Sequence, residues 1–180
     1  MNILLLPGIS LGNEEWIDRF GAYCKGKFGE VIAIHYDHWV SGEQLADVEK
    51  ETQKAIEEVE GWEDYVIVAK SIGCVVATKM LKKLKNQPKY VVMVGFPLSL
   101  VENKFNDILN LLNDVQTKLI FVQKLKDPAC SFATLKVFLE KLNIKNYKAI
   151  EYVNPKEPID NHHYESYKKL VEIIKSESGE

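Results

Sequence analysis

Apolar positions along this chain fall into two alternating textures. Short unbroken runs at Ile3–Leu6, Val31–Ile34, Tyr65–Ala69, Tyr90–Val94, Lys118–Val122 and Lys148–Val153 read as strands. Runs without polar alternation suit strands covered on both faces, the usual state in a parallel sheet. Between them the spacing turns helical. Asn13 is placed to cap a helix carrying Trp16, Ile17, Phe20 and Tyr23 on one face. An aromatic-rich loop, His35 to Val40, leads into a long acidic helix over Gly42–Val59, with Leu45, Val48, Thr52, Ile56 and Val59 inward. After Ser71, Ile72, Val75, Val76, Met80 and Leu84 share a face. Further helices are expected over Phe105–Leu112, Phe132–Leu142 and Tyr164–Lys175.

Strand and helix units in strict alternation predict an α/β fold of three layers, α/β/α, built on an open six-stranded parallel sheet. In such sheets chemistry sits outside the carboxyl ends of the strands. The informative loops are therefore those after Leu6, Ile34, Ala69, Val94, Val122 and Val153.

The segment Ala69-Lys70-Ser71-Ile72-Gly73 joins a strand to a helix and matches the G-x-S-x-G nucleophile elbow, with alanine in place of the first glycine. A serine on so tight a turn is lifted above the sheet edge. Strand and helix pass close beside it, so the flanking positions must be small. The Ile72 N–H lies in the first helical turn, where free donors and the dipole favour an anion. A serine that only caps the helix fits the same segment. After the first strand, Gly8 lets the backbone turn so that the Ile9 N–H can face the elbow. Ile9 and Ile72 would then form an oxyanion hole. A plain Pro7-Gly8 turn is the simpler alternative.

Asp127, just past the fifth strand and before Pro128, can hold an imidazole in one tautomer; it can equally be a solvated turn residue. After the sixth strand comes Asp160-Asn161-His162-His163-Tyr164, with two of the four histidines of the chain. The order Ser71, Asp127, histidine, each on a different strand-end loop, is that of an α/β-hydrolase triad. Lys70 is read as solvated, although a cation there would favour an acidic substrate. His35, Asp37 and His38 suggest a metal only weakly, and packing around Trp39 is preferred; no metal and no cofactor are expected.

With 180 residues, the chain makes one domain over residues 1–175 and a frayed tail over 176–180. A net charge of −3 gives no electrostatic case for nucleic acid or an anionic membrane. Cys24, Cys74 and Cys130 are scattered and odd in number, which suggests reduced thiols and a cytoplasmic location. No signal peptide or membrane span is expected at the N-terminus.

On the segments L-L-L-P-G, A-K-S-I-G, K-L-K-D-P and N-H-H-Y, the chain resembles the small, lid-less serine hydrolases of the α/β-hydrolase superfamily. It is most similar to the compact branch with the retinoblastoma-binding-protein-9-like hydrolases and small bacterial esterases. The resemblance implies strand order 2-1-3-4-5-6, the minimal α/β-hydrolase fold. It also implies Ser71 as nucleophile, Asp127 as orienting acid and a histidine base. In the superfamily an aromatic often follows the base, one residue on. His162-His163-Tyr164 therefore favours His162, with His163 as the alternative. Pro7-Gly8 and Ala69 depart from the usual His-Gly and glycine.

The leading function is hydrolysis of a small ester, thioester or activated amide through an acyl-serine, most simply a carboxylesterase. The alternatives are a protein-binding module that kept the fold without turnover, and a flavodoxin-like nucleotide binder. The latter is disfavoured because the loop after Leu6 lacks a phosphate cradle. With no cap domain between Val94 and Lys118, the site should be open to a small acyl substrate.

Overall fold

The structure, a computed structural model, describes residues 1–43 and 45–179. In chain order the elements are β1 (Asn2–Leu6), α1 (Gly12–Cys24), β2 (Val31–Ala33), α2 (His38–Ser41), α3 (Val48–Glu58), β3 (Tyr65–Lys70) and α4 (Ile72–Lys83). They continue with β4 (Tyr90–Val94), α5 (Leu98–Lys104), α6 (Asp107–Asp114), β5 (Lys118–Gln123), α7 (Phe132–Lys141), β6 (Tyr147–Glu151) and α8 (Tyr167–Ser178). The strands form one six-stranded sheet in the order β2-β1-β3-β4-β5-β6, all parallel. As the apolar run requires, β3 is central: Leu4 pairs with Ile67 on one side, and Val68 with Val92 on the other.

The two-residue period of the strands divides the core. Leu4, Leu6, Ile67, Ala69, Val91, Met93, Leu119 and Phe121 face a layer that includes α3, α4, α6 and α7. Ile3, Leu5, Val66, Val68, Val92, Val94, Ile120 and Val122 face α1 and α8, where Trp16, Ile17, Phe20, Leu170 and Ile174 close the other side. All six residues of β3 are buried. At roughly 25 cal/mol per Å² of apolar surface, side chains covered on both faces give the sheet centre most of its stability.

Several expected boundaries move, each for a local reason. The long helix does not begin at Gly42. Asp47 caps α3 by accepting from the Glu49 and Lys50 N–H groups, and Leu45 is exposed rather than inward. Gln44 lies outside the described residues. Asn13 sits inside α1 and does not cap it; its amide donates to the Ser10 hydroxyl at 2.7 Å. The helix expected over Phe105–Leu112 is α6, which starts only at Asp107 because Phe105 leaves helical backbone at φ −134°; α5, before it, was not expected. The last helix starts at Tyr167 instead of Tyr164, with Ser166 as its side-chain cap. It also continues through the segment expected to fray, to Ser178. Glu177, nearly buried, pairs there with Lys118 at 2.6 Å and with Lys148 at 2.5 Å. Glu180 lies outside the described residues.

Candidate active site

Ser71 stands at the end of β3 with φ 52° and ψ −121°, the one non-glycine residue at positive φ among those described. Such backbone is strained and persists only where its surroundings hold it. Two hydrogen bonds do so: the Ser71 N–H donates to the Val94 carbonyl at 2.9 Å, and the Cys74 N–H donates to the Ser71 carbonyl at 2.8 Å. The Ser71 side chain makes no capping bond to α4, so the capping alternative does not hold. Small flanking residues are required: a Cβ on Gly73 would stand 2.6 Å from the Leu6 carbonyl oxygen and 2.8 Å from that of Pro7.

Asp127 is not a solvated turn residue. Its side chain is fully buried, and His162 Nδ1 lies 2.9 Å from Oδ1 and 2.8 Å from Oδ2. The Ala129 N–H donates to Oδ1 at 2.8 Å and the Tyr164 hydroxyl to Oδ2 at 2.6 Å. Burial alone would raise the carboxyl pKa; the bonds from His162, Tyr164 and Ala129 outweigh it and hold the group below its ordinary value. His162 Nε2 is buried and has no hydrogen-bond partner among the described residues, so no hydrogen bond joins it to Ser71.

The position of the ring is set by Gly95, at φ 60°. A Cβ there would lie 2.8 Å from His162 Cε1 and 2.8 Å from Tyr164 Cε2. Gly95 directly follows Val94, whose carbonyl holds the Ser71 N–H. The imidazole therefore rests on the backbone next to the elbow. His163 faces outward: its ring is exposed, 3.9 Å from Glu165, and its N–H donates to Asn161 Oδ1 at 3.1 Å.

Neither the Ile9 nor the Ile72 N–H has an acceptor among the described residues. The Ile9 carbonyl, in contrast, is clamped by His38 Nε2 at 2.7 Å and Trp39 Nε1 at 3.0 Å. The Tyr36 hydroxyl donates to the Pro7 carbonyl at 3.0 Å. The aromatic loop after β2 thus braces the loop after β1. His38 is engaged there while His35 turns to Asp18 at 2.8 Å, so these histidines diverge rather than share a ligand. No group of three or more potential metal ligands gathers among the described residues.

Other residues around the site had no predicted role. Lys124 is buried at 1 % exposure. Its ammonium donates to the Pro158 carbonyl and Asn161 Oδ1, each at 2.9 Å, and pairs with Glu157 at 3.0 Å. It ties the histidine loop down from beneath. Gln123 joins the loops after β4 and β5, accepting from the Phe96 N–H at 2.7 Å and donating to the Cys130 carbonyl at 2.6 Å.

Lys70 corrects an expectation: it is buried, not solvated. It donates to Asn13 Oδ1 at 2.6 Å and lies 4.8 Å from the Trp16 ring centre. The phase of β3 puts it on the face of Val66 and Val68, beneath α1. Burial lowers its pKa to about 8. The three cysteines are buried free thiols, and burial raises the pKa of each; Cys24 and Cys130 reach about 12. None is an activated nucleophile.

A cleft of about 260 Å³ lies against this site, lined by Ser10, Gly12, Asn13, Lys70, His162, His163 and Glu165. A larger one, about 420 Å³, lies between the ends of α3 and α4. Its lining holds no serine, cysteine or histidine.

No family model and no curated protein matches the chain. Solved structures do. A pyrethroid hydrolase from Sphingobium faniae JZ-2 superposes with TM-score 0.70 at 11% identity, over 98% of this chain and 96% of that one. An esterase from Exiguobacterium antarcticum superposes with TM-score 0.66 at 12% identity, over 100% of this chain and 92% of that one. The chain has the α/β-hydrolase fold, in the six-stranded form described above. Among the described residues no helix is long and apolar enough to cross a membrane.

Proposed function

We propose that the chain is a serine hydrolase of the compact, lid-less α/β-hydrolase branch, cleaving a small ester, thioester or activated amide. The observation that carries this is His162. Its Nδ1 is held by a buried carboxylate, its Nε2 is buried with no partner among the described residues, and its ring rests on Gly95, next to the Val94 carbonyl that holds the strained Ser71 backbone. In this reading the Ser71 hydroxyl attacks the acyl carbon and His162 Nε2 accepts its proton. Asp127 stabilises the imidazolium, and the Ile9 and Ile72 N–H groups receive the oxyanion. Collapse of the tetrahedral intermediate sends the proton from His162 to the leaving atom. Water, activated by the same imidazole, then frees the acyl group. The Ser71–His162 bond left unmade is compatible with this, because such bonds often tighten only with substrate.

That same unmade bond favours a second reading, a protein-binding module without turnover. Labelling by a fluorophosphonate probe separates the two. The wild-type chain should label at Ser71 and hydrolyse p-nitrophenyl acetate, and Ser71→Ala and His162→Ala should do neither. His163→Ala should retain both. An unlabelled, inactive wild-type chain would support the binding module.

A further inference from the structure

The structure holds two buried lysines near the site, in opposite states. Lys124 is saturated, with a carbonyl, an amide oxygen and the Glu157 carboxylate around its ammonium. Lys70, 4 % exposed, has among the described residues one hydrogen bond, to Asn13 Oδ1, and the Trp16 ring face. Among the described residues no carboxylate lies within ion-pair distance of it. Glu165 and Asp127 act on it only from a distance; a buried ammonium with no anion in direct contact is costly, so its surroundings favour one. It keeps its proton at neutral pH even with its pKa lowered to about 8.

The place where an anion would sit is already shaped. Lys70 lines the cleft together with Ser10, Asn13 and His162. The Ser10 oxygen accepts from Asn13 Nδ2 at 2.7 Å, which leaves its hydroxyl proton free to donate outward. The cleft reaches His162, the proposed proton donor to the leaving atom, so a leaving group protonated there would lie at the mouth of the Lys70 cleft. Glu165 stands in the same lining, and its negative charge disfavours a dianion.

We infer that the Lys70 cleft binds a carboxylate carried on the leaving group of the substrate, so that the enzyme prefers esters or amides of acidic alcohols or amines. This rests on the acyl-serine reading above. In the reaction the bond from Ser71 Oγ to the acyl carbon forms and the bond to the leaving oxygen or nitrogen breaks. The proton taken from Ser71 goes to that atom through His162. The released alcohol or amine keeps its carboxylate against Lys70 and Ser10 until it dissociates.

The test compares phenyl acetate with para-carboxyphenyl acetate on the wild type, Lys70→Arg and Lys70→Gln. The ratio of kcat/KM, charged over neutral ester, should favour the charged ester by roughly tenfold or more in the wild type, as a charge-assisted contact allows. It should survive largely in Lys70→Arg and fall to about one in Lys70→Gln. A second arm does not depend on turnover: calorimetric binding of para-hydroxybenzoate, phenol and phenyl phosphate to Ser71→Ala. Para-hydroxybenzoate should bind at least roughly tenfold more tightly than phenol. Adding Lys70→Gln should abolish the difference. If neither ester is hydrolysed, the proposed function fails, while the binding arm still decides the cleft. Equal binding of para-hydroxybenzoate and phenol overturns the anion site, even if Lys70→Gln does not fold. A preference unchanged in Lys70→Gln does the same, and tighter binding of phenyl phosphate overturns the choice of a carboxylate.

Discussion

The Tyr164 hydroxyl donates to Asp127 Oδ2 at 2.6 Å and accepts the Lys124 N–H at 3.1 Å, so the carboxylate that holds His162 is itself held from behind. Both groups are buried, and burial together with the neighbouring Asp127 charge keeps the phenol far above its ordinary pKa, as a neutral donor. Tyr164→Phe keeps the ring against Gly95 but orphans the Lys124 N–H and removes one bond that lowers the Asp127 pKa. Unfolding in urea should show a loss of about 1–3 kcal/mol. The Asp127 carboxyl, followed by carbon NMR, should titrate at higher pH than in the wild type. An unmoved titration would mean that the hydroxyl does not bear on the acid.

Gly95 separates the seating of the base from its chemistry. Gly95→Ala places a methyl group 2.8 Å from His162 Cε1, at a backbone angle that L-residues rarely adopt. Stability should fall by about 1–2 kcal/mol from the backbone alone. Ester hydrolysis and fluorophosphonate labelling should fall far more steeply, because the imidazole is pushed off its position beside Ser71. Labelling at the wild-type rate would show that the ring does not rest there during reaction.

The strain at Ser71 has a measurable counterpart. At φ 52° and ψ −121°, glycine fits the backbone better than any L-residue. Ser71→Gly should be more stable than Ser71→Ala by roughly 1 kcal/mol in urea unfolding, although both lack the nucleophile. Equal stability would argue that the elbow relaxes in solution.

Lys70 predicts a pH-dependent stability of known sign. Its folded pKa is lowered by burial to about 8 from an ordinary 10.5. Below about 8 both states carry the proton, and the destabilisation of the buried ammonium is present in full. Between about 8 and 10.5 the unfolded chain binds the proton and the folded chain has released it, so this group makes stability rise with pH. Lys70→Met removes the contribution. Its stability advantage over the wild type should be greatest near roughly pH 7 and shrink toward roughly pH 10. An advantage constant across that range would contradict a buried, charged Lys70.

How much of this protein is written locally follows from the range of each signal. Unbroken apolar runs and helical spacing determined the alternating elements, the parallel sheet and the central place of β3, because burial on two faces leaves its mark on consecutive residues. The elbow was legible too: Ala69, Ser71 and Gly73 answer a steric demand within five residues. So was the topological order of Ser71, Asp127 and His162 on three strand-end loops. Helix ends were less so. Asp47, Ser131 and Ser166 cap by hydrogen bonds that compete with equally good sites nearby, and only packing chooses among them.

Tertiary structure alone decided the rest. Lys124 and Glu157 are ordinary surface types in sequence, and become a buried pair only when the loops after β5 and β6 meet. His38 reads as a stray ligand until the loop after β2 folds over the Ile9 carbonyl. Lys70 looks solvated beside its serine until the sheet pleat turns it under α1, onto Trp16 and Asn13. In each case the partner lies far away in the chain. The energy of a buried polar group depends on what encloses it, which no local pattern of residues records.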